Sequence, residues 1–176
     1  MPRVFQGDKS AARGRFAVVV SRYNESITSR LLTGALDTFA AHDIPDVDVD
    51  VVRVPGAWEI PLVADQLAMS GQYVAVVCLG AVIRGETTHD QHINRAVSVA
   101  LGQTAVRSGV PVAFGVLTCE TLEQAVHRAG GGVGNKGNES AEAALEMASL
   151  VAMLSRSDST LPQPDSTAEM RGDDLA

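Results

Sequence analysis

The chain has 176 residues, of which 45% are hydrophobic, 20% charged and 4% aromatic, and a net charge of -7 from 14 basic and 21 acidic side chains. A chain of this length buries roughly 70% of its unfolded surface, so one domain can hold a core without disulfides or metals. No apolar run nears the roughly 20 residues of a membrane span, and no Lys/Arg cluster of the nucleic-acid-binding kind occurs, so membrane-spanning and nucleic-acid-binding roles are excluded.

The opening Met1-Pro2-Arg3-Val4-Phe5-Gln6 lacks the basic, then apolar, then small-residue order of a secretory signal, which predicts a cytoplasmic protein. Residues 1–14 read as an N-terminal arm. Residues 15–20 form a continuous apolar run of the kind found in buried parallel strands. Ile27, Leu31, Leu32, Ala35, Leu36 and Phe39 then recur at helical spacing, predicting a helix to about His42 capped by Asn24 or Ser26. Residues 47–54 alternate Val with Asp, the pattern of a strand near the sheet edge with one solvated face.

Residues 59–69 carry Ile60, Val63, Ala64 and Leu67 on one helical face, with Pro61 tolerated in the first turn. A third strand is predicted at 73–79, followed by a loop over 80–88. The next helix runs to about Ser108 with Thr87 or Thr88 as its cap, and the fourth strand spans 111–118. Thr121-Leu122-Glu123-Gln124 has capping-box spacing and opens a short helix ending at Gly130; a last helix covers about 139–154. Its apolar, small-residue face, from Ser140 to Leu154, is one that another subunit can cover. Residues 156–176, rich in Ser, Asp, Thr and Pro, read as a disordered tail outside the 15–155 domain.

Strands alternating with helices predict an α/β fold: a three-layer αβα sandwich around a four-stranded parallel sheet. Such sheets place ligands beyond the carboxyl ends of their strands, here residues 21–26, 55–59, 80–89 and 119–120.

Several residues in these segments admit more than one reading. Gly132-Val133-Gly134-Asn135-Lys136-Gly137 fits the dinucleotide pattern literally, but it joins two helices rather than a strand and a helix, so it reads as a helix break needing positive φ. Lys136 nevertheless leaves a cation beside backbone N–H groups, which suits a smaller anion. His89 and His92 raise the question of a metal, yet their spacing is not that of H-E-x-x-H and no third ligand is evident. His89 at a helix start suits proton transfer, or it is a solvated first-turn histidine. Tyr23 and Trp58 lie in strand-end loops, either to stack on a planar ligand or to pack as a lid. Arg128 either caps its helix or clamps a phosphate. Cys78 and Cys119 sit in apolar strand-like segments and read as small buried hydrophobes.

Taken together, Arg22-Tyr23-Asn24, Ile27-Thr28, Val54-Pro55-Gly56-Ala57-Trp58-Glu59-Ile60-Pro61, Val82-Ile83-Arg84-Gly85-Glu86-Thr87-Thr88-His89, Phe114-Gly115-Val116-Leu117-Thr118, Glu123-Gln124-Ala125 and Gly134-Asn135-Lys136-Gly137 resemble the lumazine synthase family in order and spacing. The resemblance runs from about Val4 to Leu154 and implies a flavodoxin-like sheet. The implied reaction condenses 5-amino-6-(D-ribitylamino)uracil with 3,4-dihydroxy-2-butanone 4-phosphate to 6,7-dimethyl-8-ribityllumazine, phosphate and water, with no metal or cofactor.

By the same resemblance, Tyr23 stacks on the pyrimidine, Ala57, Trp58 and Glu59 hold the ribityl chain, and Ala81, Val82 and Ile83 present backbone groups to the ring. Phe114 closes the pocket from a neighbouring subunit. Glu86 and Thr87 meet the phosphate, Arg128 clamps it with Lys136 nearby, and His89 shuttles protons, oriented by Glu139. The implied partners are the two small substrates, further copies in a pentamer or an icosahedral shell, and riboflavin synthase. Asp90-Gln91-His92 after His89, and Trp58 in place of Phe, depart from the family's usual pattern. A non-catalytic flavin- or lumazine-binding shell protein on the same scaffold is the alternative, but it leaves His89, Arg128 and Lys136 together unexplained. A nucleotide-binding flavodoxin-like domain is a further rival; Ser21-Arg22-Tyr23-Asn24 lacks the glycines its phosphate loop needs.

Overall fold

The structure is a computed structural model that describes residues 2–158, with side chains as far as Arg156. Its elements follow the expected alternation: β1 (Phe16–Ser21), α1 (Glu25–Ala41), β2 (Val49–Val54), α2 (Ile60–Met69), β3 (Ala75–Ile83), α3 (His89–Ser108), β4 (Val112–Cys119), α4 (Leu122–Arg128) and α5 (Lys136–Asp158). The four strands form one parallel sheet in the order β2-β1-β3-β4. Every residue of β1 is buried, as its unbroken apolar run requires of a strand covered on both faces. The Val/Asp alternation of β2 suits its place at the edge.

Side chains alternate across the pleat and feed two cores. Phe16, Val18, Val20, Val77 and Leu79 pack against α1, α4 and α5, while Ala17, Val19, Val76 and Cys78 pack against α2 and α3. The sandwich therefore has three layers. Helices α1 and α5 approach closely because both carry a glycine at the crossing: a Cβ on Gly137 would collide with the Leu31 carbonyl, and one on Gly34 with Asn135 and Asn138. Asn138 Nδ2 donates to Thr38 Oγ1 (3.0 Å) and Asn135 Nδ2 to the Arg30 carbonyl (3.0 Å), fixing the contact.

Several sequence expectations are corrected. β3 continues through Ile83 instead of ending at Leu79, because Gly80–Ile83 pair residue for residue with Val116–Cys119. Gly80 is not a turn; a Cβ there would come 3.1 Å from Ile60 Cδ1, so the missing side chain makes room for α2. Asn24 precedes α1 in the left-handed region (φ 59°), which Asn tolerates, and neither it nor Ser26 caps the helix by side chain. Thr88 gives α3 no side-chain cap either. At α4, Thr121 Oγ1 accepts from the Gln124 N–H as expected, but the Gln124 side chain accepts from Glu120 instead of closing the box on Thr121.

On the α5 face expected to meet another subunit, Ala141, Ala144, Leu145 and Ala148 are buried within the same chain, leaving Met147 and Leu154 exposed on that helix. Helix α5 starts earlier and runs further than expected, to Asp158; the rest of the expected tail lies outside the described residues. Lys9 of the arm donates to Glu142 of α5 at 2.6 Å, and the Asp8 N–H to Ser149 at 3.2 Å. Among the described residues, no helix is long and apolar enough to cross a membrane.

Candidate active site

In the order β2-β1-β3-β4 the chain leaves β1 to one side for β2 and to the other for β3, so a crevice opens between the carboxyl ends of β1 and β3. A cleft of about 310 Å³ occupies that crevice, walled by Ala57, Ala81, Val82 and Ile83 with Tyr23 and Trp58 at its mouth. Tyr23 is 73% and Trp58 58% exposed, so both rings offer open faces to a planar guest. Hydrogen bonds from the N–H groups of Arg22 and Tyr23 to the Val54 and Pro55 carbonyls join the two aromatic loops. Glu59 turns back on its own loop, its carboxylate accepting from the Gly56 N–H at 2.8 Å.

The extension of β3 gives the cleft its polar edge. Pairing between β1 and β3 stops at Val20 and Leu79, whereas β3 goes on to Ile83 with only β4 beside it. The backbone groups of Ala81 and Ile83, which face the β1 side, are thereby left as a short open sheet edge within the cleft, while those of Val82 face β4. Asn24 Nδ2 donates to one of them, the Ala81 carbonyl, at 2.8 Å. The remainder can serve a ligand that carries an amide-like row of donors and acceptors.

His89 lines the same cleft as the first residue of α3, with its Nδ1 2.5 Å from the Thr87 hydroxyl. This contact fixes the ring and leaves Nε2 as the atom available for proton exchange. Thr87 is thus tied to the histidine, while Glu86 is an exposed loop residue beside it.

The other expected site residues lie elsewhere in the chain. Phe114 is on the edge strand β4, 38% exposed, in a hollow shared with Pro111, Ala143 and Met147. Arg128, Lys136 and Glu139 gather at the α4–α5 connection, where both cations donate to the Glu139 carboxylate at 3.0 and 3.2 Å. Burial opposes ionisation of Glu139, but the hydrogen bonds and charges of Arg128 and Lys136 outweigh it and hold the carboxyl below its ordinary range. Gly130, Gly132 and Gly134 have the positive φ that the helix break was expected to need.

Sequence reading missed Ile93 as a lining residue; Asn24, Gly56 and Gly85 fell inside the strand-end segments expected to meet a ligand, but none was given a role of its own there. Ile93 was recognisable as one turn beyond His89 on the same helical face. Burial pushes the Cys78 thiol far up, and burial also raises that of Cys119 against the opposing charge of Arg128. Neither has the low-pKa surroundings of a reactive thiol. Among the described residues, no three His, Cys, Asp or Glu side chains come together as a metal-binding group.

A flavodoxin-like α/β domain with a cleft at its switch point, two aromatic rings at the mouth and a histidine at the following helix start has the form of a small-molecule-binding protein. The profile of the 6,7-dimethyl-8-ribityllumazine synthase family matches residues 13–152. The 6,7-dimethyl-8-ribityllumazine synthase of Desulfotalea psychrophila is 51% identical over 154 residues, covering 88% of this chain and 99% of that protein. That of Desulfatibacillum aliphaticivorans is 47% identical over 150 residues, covering 85% and 97%. The chain belongs to the 6,7-dimethyl-8-ribityllumazine synthase family, a family of enzymes.

Proposed function

We propose that this enzyme condenses 5-amino-6-(D-ribitylamino)uracil with 3,4-dihydroxy-2-butanone 4-phosphate, releasing phosphate and water in the penultimate step of riboflavin biosynthesis. The observation that carries the reading is the open edge of β3 at Ala81–Ile83, beside Tyr23 and His89 in one cleft. A uracil ring has the matching chemistry: a flat face for Tyr23 and an edge of alternating N–H and C=O groups for the strand. The ribityl chain then runs along Ala57, Trp58 and Glu59.

Schiff-base formation, phosphate elimination and ring closure are proton transfers between positioned reactants. His89, held by Thr87, exchanges those protons through Nε2. Holding the two substrates together contributes on the order of 7 kcal/mol or more to the barrier reduction, and acid–base help about 10²- to 10⁴-fold. The phosphate is met by backbone N–H groups at Glu86 and Thr87 and clamped by Arg128, with Lys136 nearby.

Because Phe114, Arg128 and Lys136 do not line the cleft of their own chain, we assign them to the cleft of the next copy in a closed ring. Val99 and Val106 on α3 and Phe114 on β4, at 51%, 88% and 38% exposure, are apolar surfaces that such a ring would cover. The ring is a pentamer, and the short Gly130–Gly137 connection favours icosahedral shells, with riboflavin synthase as an associated enzyme and the cytoplasm as the place of action. The test supplies purified protein with both substrates and follows the fluorescence of the lumazine. Formation no faster than the uncatalysed reaction would refute the assignment. Light scattering that finds only pentamers removes the shell; a monomer removes the shared site.

A further inference from the structure

The polar groups between α4 and α5 are arranged around a carboxylate of the chain itself. Arg128 Nη1 donates to the Val133 carbonyl at 2.7 Å and Nη2 to Glu139 at 3.0 Å, while Lys136 Nζ donates to the same carboxylate at 3.2 Å. The three side chains are 35%, 32% and 43% exposed, so solutes reach them. Gly134, with φ at +76°, keeps one flank open: a Cβ there would lie 3.4 Å from Glu139 Oε1 and 3.8 Å from Arg128 Nη1. The first turn of α5 adds its positive end to the two cations. An arginine, a lysine and a helix start form an anion site, and the anion in it is Glu139.

We propose that Glu139 is a stand-in anion: its carboxylate occupies the Arg128–Lys136 pair in the empty protein, and a phosphate ester must take its place. This rests on the reading that Arg128 and Lys136 meet the substrate phosphate. The arrangement gives selectivity. Inorganic phosphate has only its charge with which to displace Glu139, whereas the butanone phosphate adds the contacts of its carbon chain and hydroxyls. It also serves turnover, because the carboxylate returns to the cations as the eliminated phosphate leaves and opposes its rebinding.

The experiment titrates full-length protein with inorganic phosphate in a phosphate-free buffer at pH 7.5, by calorimetry, for the wild type and for Glu139→Gln, Glu139→Asp and Arg128→Ala. Removing the competing charge in Glu139→Gln should tighten phosphate binding about five- to tenfold, while Glu139→Asp, which keeps the charge, stays within about twofold of wild type. Arg128→Ala should abolish binding. In parallel, inorganic phosphate should become a stronger competitive inhibitor against the butanone phosphate in Glu139→Gln.

Unchanged or weaker phosphate binding in a normally folded Glu139→Gln protein overturns the proposal and makes Glu139 a structural tie. The underlying reading fails separately. If the wild type forms the lumazine yet Arg128→Ala leaves the half-saturating concentration of butanone phosphate unchanged, the clamp itself is misassigned. If Arg128→Ala raises that concentration while Glu139→Gln leaves phosphate binding alone, only the stand-in role is lost.

Discussion

Held by Thr87, His89 offers one free nitrogen to the cleft, and the chemistry asked of it is proton exchange between reactants already placed by the cleft walls. His89→Ala should therefore lower turnover by no more than about 10⁴-fold and leave measurable activity, since positioning survives. Thr87→Val, which releases the ring but keeps it, should cost about tenfold in kcat. A folded His89→Ala protein with no rate above the solution reaction would require His89 to do more than shuttle protons. Arg128→Ala should raise the half-saturating concentration of butanone phosphate well above any change for the pyrimidine, because one charge-assisted contact is lost. Equal weakening of both substrates would point to a structural role at the end of α4. The Glu139 link to Arg128 and Lys136 also has a pH signature. A carboxyl held below its unfolded value contributes stability that is fully present above the ordinary Glu range and is lost as pH falls through the depressed value. Denaturant midpoints measured between pH 7 and 3 should accordingly fall less steeply for Glu139→Gln than for the wild type; parallel curves would mean that the link adds no stability.

At the level of the element, the crossing of α1 and α5 is the contact least able to absorb change. Gly137→Ala drives a methyl group into the Leu31 carbonyl, and separating the two helices also disturbs the Asn135 and Asn138 hydrogen bonds. The expected loss is about 2–3 kcal/mol, read as a lower denaturant midpoint, whereas Gly85→Ala, with open space around it, should stay within about 0.5 kcal/mol. Equal midpoints would show that the helices can part without cost. The apolar runs and helical periodicities were legible because burial on two faces or one leaves a period in the chain, and all nine expected elements are present, although β3 and α5 have other bounds than expected and α4 was signalled by its cap. The end of β3 was not legible: Gly80 looks like a turn residue in sequence, and only the approach of Ile60 reveals it as a strand residue making room for α2. The same holds for Asn24, whose bond to the Ala81 carbonyl depends on a strand 57 residues away. Cap chemistry at Ser26 and Thr88 failed for a related reason, since tertiary partners and loop geometry decide where short polar side chains point.

At the scale of the whole molecule, the site residues fall into two groups that one chain keeps apart. Tyr23, Trp58 and His89 line the cleft, and Phe114, Arg128 and Lys136 do not. If the second group serves the next copy in a ring, each interface joins the first half of one chain to the second half of its neighbour, a head-to-tail contact. A Tyr23→Ala, His89→Ala protein spoils every first half and an Arg128→Ala protein every second half, so homogeneous rings of either have little activity when butanone phosphate is kept well below the half-saturating concentration of the Arg128 variant. Unfolded together in equal amounts and refolded, the two chains close rings at random. An interface then receives an intact first half in about half of cases and an intact second half in about half, so about a quarter of interfaces are complete. Activity should rise toward about a quarter of wild type on co-refolding and stay at the mutant level when preformed assemblies are merely mixed. A site confined to one chain cannot give this result, because every chain carries a defect. A co-refolded sample with both chains in the same particle and no gain over the separate mutants would return Arg128 to the cleft of its own chain, and would leave the separation of the two groups to be bridged by movement within a single molecule.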